Sequence, residues 1–549
     1  METRTQIPAP VAGWKHRLTV VALGGLFLLG FRCSSSGDAP VEAMEDPDVG
    51  PVPPLGVNLE LVSDFSRSKM FADAMKSARH WGSPSTPWDE AASVDADGWP
   101  TGDAGVVILA NIPKTDGTYK LSFVGRANVQ PVASSGVTVA KLAYDGASNT
   151  STADVLIDET ATQLLLSFTG TRGGVKNVKL IRPGQSAGDT FTRQFLTRLQ
   201  PFQVLRFMDY SSTNGNPEVS WSDRTLPTAA TQQRKVNGGI AGAAWEYAIE
   251  LANLTGKDPW INVPDQATDD YVLNLAKLFK GKLSPDRKLY VEWSNEVWND
   301  AFPQTQRNYA ATNAEVAAGS SNLGSDGERN PYYLAWRRTA RRAKEISDIF
   351  RSVFGEDAMI TRIRPVLASH VARPIVLTQG LDFIERVYGP PSRYFYAAAG
   401  TTYFNIDNDT RTDLTVDQIF AELPAQLEIG RQQQVAFTAA CRHYKLKNVA
   451  YEGGPHLFGE ASVDAKIAAN RDPRMKDMLL QNYRNWFASG GALNVYYNLA
   501  SPWSKFGSWG LTDVLEVDTP KHAAIAELLA NPPRSARASI ATQGNAGSK

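Results

Sequence analysis

Cysteine is scarce in this chain, with Cys33 and Cys441 the two present among 549 residues. That excludes a disulfide framework and leaves no Cys/His set for a structural zinc site. An excess of charge is missing too. The 56 Lys and Arg stand against 57 Asp and Glu, a formal net charge of −1, so no broad field draws in nucleic acid or an anionic membrane. Nor is there an apolar run long enough to span a bilayer, which takes about 20 residues. The nearest approach is LTVVALGGLFLLGF, Leu18 to Phe31, preceded by Lys15, His16 and Arg17. A basic start followed by a short apolar stretch has the shape of a secretory signal, expected over residues 1–33.

Cys33 follows that stretch directly, and Ser34 to Pro54 (SSSGDAPVEAMEDPDVGPVPP) reads as a flexible Ser/Pro/acidic tether. The order resembles a bacterial lipoprotein signal, with Arg32 where a small residue is the rule. Export is the expectation, to the medium, the periplasm or the cell surface. A lipid on Cys33 is the alternative fate of the same signal.

What is present is ordinary globular material, 42% hydrophobic and 21% charged, so disorder is expected only at the ends, including a tail over 531–549. At this length one core rarely suffices, and one large domain with an extra module is expected. LGVNLEL (Leu55 to Leu61) reads as a strand. SKMFADAMKSARHW (Ser68 to Trp81) carries Met70, Phe71, Ala74, Met75 and Ala78 at helical spacing. From about Gly82 to Arg182 the text changes to alternating runs such as TYKLSFVGR and TQLLLSFTG between turn residues. That pattern predicts an antiparallel sandwich over 82–182. From Asp189, read as a helix N-cap, strands and helices alternate again to about residue 530. Counted from LGVNLEL, the candidates include FQVLRFMDY, DPWINVP, KLYVEWSNE, AMITRIRPVL, YFYAAAGTTYF, NVAYEGG and LNVYYNLA. Eight strands alternating with helices imply a closed (β/α)8 TIM barrel, with the sandwich inserted after its first helix.

In such a barrel the chemistry sits where the strands end. KLYVEWSNE leaves Glu296 just past strand four, and NVAYEGG leaves Glu452 just past strand seven. Two carboxyls so placed can face each other across the mouth. Retaining glycoside hydrolysis needs this pair, about 5 to 5.5 Å apart, one ionised to attack the anomeric carbon and one protonated to release the leaving group.

The pattern resembles the clan A retaining glycoside hydrolases, in which Asn-Glu ends strand four and Glu ends strand seven; here these are Asn295-Glu296 and Glu452. WSNEVWN is also similar to a group of exported bacterial proteins of undefined substrate. The resemblance implies Glu296 as acid/base, Glu452 as nucleophile, and Asn295 as donor to the sugar 2-hydroxyl. Arg206 in VLRFMDY would steady the nucleophile, Tyr403 in GTTYF would match the strand-six tyrosine, and Trp503 in ASPW the tryptophan under the sugar. It implies no cofactor and no metal, a β-glycan substrate cut internally, and a monomer. The chain departs from the pattern at Ser294, where the clan often has Trp, and at Asp265 and Gln266, where a histidine is common.

Plainer roles compete. Arg206 could be a salt bridge at the mouth, Tyr403 a core tyrosine, and His456 a loop histidine. Trp503 competes with Trp509 and Tyr497, and Trp293, Trp298 and Trp221 fit packing as well as sugar platforms. A barrel that binds carbohydrate without turnover is the alternative function. GQSAG (Gly184 to Gly188) matches a serine nucleophile elbow at Ser186, but Arg182 and Pro183 precede it where a buried strand is needed. The acidic runs at Asp407 to Asp413 and Asp95 to Gly98 lack the spacing of a calcium loop and read as ordinary loops.

Overall fold

The structure, a computed structural model, describes residues 53–407 and 410–532. The signal expected over 1–33 lies outside them, as do nearly all of the tether and the tail. Among the described residues no helix is long and apolar enough to cross a membrane.

Eight parallel strands close into a barrel: Leu55–Asn58, Val204–Arg206, Asp258–Val263, Leu289–Trp293, Ile363–Ala368, Ala397–Phe404, Lys447–Pro455 and Leu493–Tyr496. They are strands one to eight. Each pairs with its neighbour in sequence, and Gly56 of strand one closes the ring beside Val204 on one side and Val495 on the other. Helices follow the strands, among them Trp245–Thr255 after strand two, Asp269–Lys282 after three, Pro303–Ala317 and Pro331–Phe354 after four, and Val416–His443 after six. The TIM barrel expected from the alternation is present.

Side-chain alternation divides each strand between two cores. On strand four, Leu289, Val291 and Trp293 face the helices. Tyr290 faces the barrel axis, in an inner cluster with Val204, Trp260, Val366, Val449, Tyr451 and Val495. Trp260 and Tyr290 stack there at 5.4 Å. Glu292 shares the parity of Tyr290, so a carboxylate lies inside the barrel, 1% exposed.

Strand seven breaks its alternation at one point. Gly400 of strand six pairs with Ala450, but the next residue, Thr401, pairs with Glu452. Tyr451 is the extra residue of a β-bulge. Gly453 follows, where a Cβ would lie 1.9 Å from Thr402 Oγ1, so only glycine lets the two strands meet after the bulge.

Between strand one and the short helix Arg193–Arg198, residues 104–181 form two antiparallel sheets. One has three strands and the other four. They share a core with Trp81, Tyr119, Phe123 and Phe168, separate from the barrel cores.

The helix expected over Ser68 to Trp81 is not formed. Apart from a single 3-10 turn, Ala74–Ser77, the segment is non-helical, with isolated bridges from Phe71 to Phe191 and from Asp73 to Ile181. The reason lies in its apolar residues, which serve two cores rather than one helix face. Met70 and Phe71 pack into the barrel, and Ala74, Met75, Ala78 and Trp81 into the two-sheet module. The Asp73 carboxylate accepts from the backbone N–H of Met75 and of Leu180, tying the segment to the module. The module therefore enters before the first barrel helix. That helix starts at Arg193 with Thr192 as its N-cap, not at Asp189, whose carboxylate accepts from the Ser186 N–H instead.

Candidate active site

Arg206 is the last residue of strand two and is fully buried. Its guanidinium donates to both oxygens of Glu292 at 2.9–3.1 Å, to Glu452 Oε1 at 2.7 Å, to Asn58 Oδ1 at 3.0 Å and to Asn295 Oδ1 at 2.9 Å. Strands one, two, four and seven thus converge on one cation. Burial works against its charge, but Glu292 and Glu452 more than offset this and hold its pKa above the usual arginine value. A fork of fixed donors suits two carboxylates at once in a way an ammonium does not.

The two candidate glutamates have different partners. Both oxygens of Glu452 are held by donors, Oε1 by Arg206 and Oε2 by the Tyr403 hydroxyl at 2.9 Å. Glu296 meets neutral groups, with Asn299 Nδ2 donating to Oε2 and the Tyr451 hydroxyl to Oε1, both at 2.8 Å. Burial raises both carboxyls. Glu452 is pushed up to about 8, burial first, with Arg206 opposing and the charge of Glu296 adding to the rise. Glu296 is raised by burial, with Asn299 and Tyr451 opposing. Such a pair titrates jointly and keeps one proton over a wide range. The cation beside Glu452 favours the negative charge there and the proton on Glu296.

The loop after strand four is bent to make this placement. Ser294 and Glu296 both take left-handed backbone angles, φ 56° and 43°, uncommon for residues other than glycine. The Ser294 N–H still bonds Val263 of strand three at 2.8 Å, and the Asn299 N–H closes a turn on the Glu296 carbonyl at 2.8 Å. Asn295 is fixed from both ends: besides accepting from Arg206, its amide donates to Asn214 Oδ1 at 3.2 Å. One N–H of that amide remains for a ligand. Gln304 secures the same corner, donating to Asn214 Oδ1 and to the Asn295 carbonyl.

Tyr403 forms an aromatic group with Tyr497 at 6.0 Å, Trp509 at 5.2 Å and His456, stacked at 5.4 Å. His456 is held neutral, its pKa lowered to about 3 by burial, and packs as a loop residue. Trp503 does not join this group. It lies between Arg471 and Lys521, 4.8 and 4.6 Å from its ring centroid, and its Nε1 donates to the Gly510 carbonyl. Trp509 stands at the site in its stead. Trp293 is buried in the outer core, Trp298 rests 4.5 Å from His370, and Trp221 carries Arg224 over its ring at 4.1 Å. Asp265 is paired with Arg307 at 2.6 Å, and Gln266 donates to the Asn216 carbonyl. Ser186 is exposed in a turn after the last module strand, with no elbow around it. Among the described residues no group of three or more His, Cys, Asp or Glu is placed to hold a metal ion.

Several site residues escape sequence reasoning: Asn58, Asp209, Asn214, Glu292, Asn299 and Tyr451. Glu292 carries a readable signal, since a charged residue at the inward parity of a buried parallel strand must have a partner inside the barrel. Tyr451 carries one too, since it shares the inward parity of Val449; what the alternation cannot show is that the bulge brings Glu452 to the same side.

No protein-family model matches the chain, and no curated protein matches it. Solved structures do. The GH51 arabinofuranosidase from Xanthomonas axonopodis pv. citri is 12% identical, with 63% of this chain and 67% of that one covered, at a TM-score of 0.39. An arabinose-bound GH51 α-L-arabinofuranosidase is 11% identical over 86% and 80% at 0.44. A β-glucosidase from Thermotoga maritima is 10% identical over 62% and 85% at 0.34. These similar structures are all glycosidases by name.

Proposed function

We propose that this protein is an exported glycoside hydrolase that cleaves β-glycosidic bonds with retention, through Glu452 as nucleophile and Glu296 as acid/base. The observation that carries the reading is the unequal holding of the two carboxyls. Glu452 has a donor on each oxygen, one of them a cation, so of the two carboxyls it is the one whose charged form is favoured for attack. Glu296 touches an amide and a hydroxyl. Both are neutral, so the proton of the pair is favoured on Glu296 rather than on Glu452 beside the cation.

In the first step Glu452 attacks the anomeric carbon while Glu296 gives its proton to the leaving oxygen. In the second, Glu296 removes a proton from water, which displaces Glu452 from the glycosyl-enzyme. The free N–H of Asn295 fits the sugar 2-hydroxyl, and Trp509, Tyr497 and Tyr403 supply an aromatic wall beside Glu452. The two-sheet module reads as an inserted sandwich. Internal cleavage of a polysaccharide, a monomeric state, and a signal ending at Cys33, with or without a lipid there, belong to the same reading. Mass spectrometry of the mature N-terminus tests the last point, and an intact Met1 on exported protein would contradict it.

The deciding experiment is proton NMR of the first-formed product on a hydrolysed β-glycoside. Retention is expected, and inversion would remove Glu452 as nucleophile. Glu296→Ala should slow substrates with poor leaving groups far more than activated aryl glycosides, because only the former need protonation. Glu452→Ala should abolish both.

A further inference from the structure

Asp209 is a carboxylate in the mouth that the double displacement does not use. It stands three residues past Arg206, where strand two has ended and the mouth begins. Its Oδ2 accepts from the Tyr497 hydroxyl at 3.1 Å, and Tyr497 is part of the aromatic wall beside Tyr403. Among the described residues no donor sits on Oδ1, and that atom is not sealed from solvent. The carboxyl lies close enough to Glu452 that its charge raises the nucleophile's pKa, and close enough to Arg206 to be lowered by it. A half-buried carboxylate with one oxygen anchored and the other without a donor is poorly explained by stability alone, since it bears a desolvation cost without a cation in contact. Burial lifts it to about 6, against Tyr497 and Arg206, so at neutral pH it is mostly ionised and an acceptor only.

Resting on the glycosidase reading above, we propose that Asp209 is a specificity residue whose free oxygen accepts a hydrogen bond from a ring hydroxyl of the glycone, and that the sugar it takes is uncharged. Its neighbours support the second half. Glu292, Glu296, Glu452 and Asp209 gather around Arg206, the cation that acts on all four, and its donors are committed to Glu292, Glu452, Asn58 and Asn295. A uronic acid would bring another negative charge to this cluster. A neutral sugar brings hydroxyl donors to an open acceptor.

The probe is a panel of 4-nitrophenyl β-glycosides (glucoside, galactoside, mannoside, xyloside and glucuronide), with monodeoxy analogues of the best substrate. The wild type is expected to prefer a neutral member over the glucuronide. Asp209→Asn should lower kcat/KM on that substrate about 10- to 100-fold, the effect of one hydrogen bond to a charged group. One deoxy analogue should lose a similar factor with the wild type and lose little more with Asp209→Asn. Tyr497→Phe, which removes the anchor but leaves the carboxylate, should cost less. A variant as active as wild type, an equal loss on parent and every deoxy analogue, or preference for the glucuronide would each overturn the proposal. Glu452→Ala separates the two levels. If it is inactive while Asp209→Asn is normal, only the role of Asp209 fails; if it is fully active, the glycosidase reading fails as well. Should no glycoside be cleaved, saturation-transfer NMR with the free monosaccharides replaces kinetics. There, loss of a neutral sugar's signal in Asp209→Asn supports the proposal, and no wild-type binding overturns it.

Discussion

Replacing Arg206 by Met removes the cation bound to Glu292 and Glu452 while keeping an unbranched side chain of similar reach. Two consequences follow. In contact with Glu452 at 2.7 Å, the guanidinium has its charge centre about 4 Å from the carboxylate, worth about 4 kcal/mol at an effective dielectric constant of about 20. That energy corresponds to roughly a thousandfold in the ionisation of Glu452. The nucleophile, already raised to about 8 by burial, rises further and its ionised fraction at pH 7 falls by that factor, so kcat/KM on an activated aryl glycoside should fall about a thousandfold. Arg206→Lys, with the charge but not the fork, should fall between.

The second consequence is a pH dependence of stability. Without Arg206, Glu292 and Glu452 are both buried without a cation, and both prefer the neutral form. A carboxyl whose folded value lies above its unfolded value of about 4.3 binds its proton more tightly in the folded state. Its stability contribution is full below the unfolded value and is lost as pH rises toward the folded one, at about 1.4 kcal/mol per pH unit for each group. Melting temperatures of Arg206→Met from pH 4 to 9 should therefore fall more steeply than those of the wild type. Activity within tenfold of wild type at pH 7, or parallel melting profiles, would refute the assignment of Arg206 as the counter-charge.

Tyr451→Phe removes a hydrogen bond that favours the ionised form of Glu296, so that carboxyl should rise further and the alkaline limb of kcat/KM should move up by about one to two pH units; a fixed limb would argue against Glu296 as the acid. Gly56→Ala places a Cβ 2.9 Å from Val495 Cγ2 and 3.0 Å from the Val204 carbonyl, and chemical denaturation should show a loss of about 1–3 kcal/mol from overpacking the barrel interior. Trp509→Ala should raise KM roughly three- to tenfold through the lost aromatic wall. Trp503→Ala should lower the melting temperature with little change in KM, because that ring packs between Arg471 and Lys521; the reverse pattern would return Trp503 to the site.

The eight barrel strands were legible because each is a short apolar run bounded by helical spacing, and Arg206 and Glu296 could be placed at the mouth because they lie at or just past a strand end; Glu452, expected just past strand seven, lies inside it, since that strand runs on to Pro455, and Tyr403 is one residue short of the end of strand six. Local pattern suffices there: strand order in a βα repeat follows chain order, and the mouth lies where the strands stop. Tertiary structure decided matters in which residues far apart in sequence compete for one space. Met70 and Phe71 could have shared a helix face with Met75 and Ala78, but two cores lie on either side of the segment and divide them. ASPW named a tryptophan near the end of strand eight, yet Arg471 and Lys521 hold Trp503 away and Trp509 takes the place beside Tyr403. Strict alternation in strand seven would send Tyr451 and Glu452 to opposite faces. Tyr451 points inward with Val449, and the bulge paired against Thr401, with Gly453 close to Thr402, brings Glu452 to the same side, where one meets Glu296 and the other Arg206. An extra residue in one strand is set by its pairing with the next, and pairing exists only once the barrel has closed.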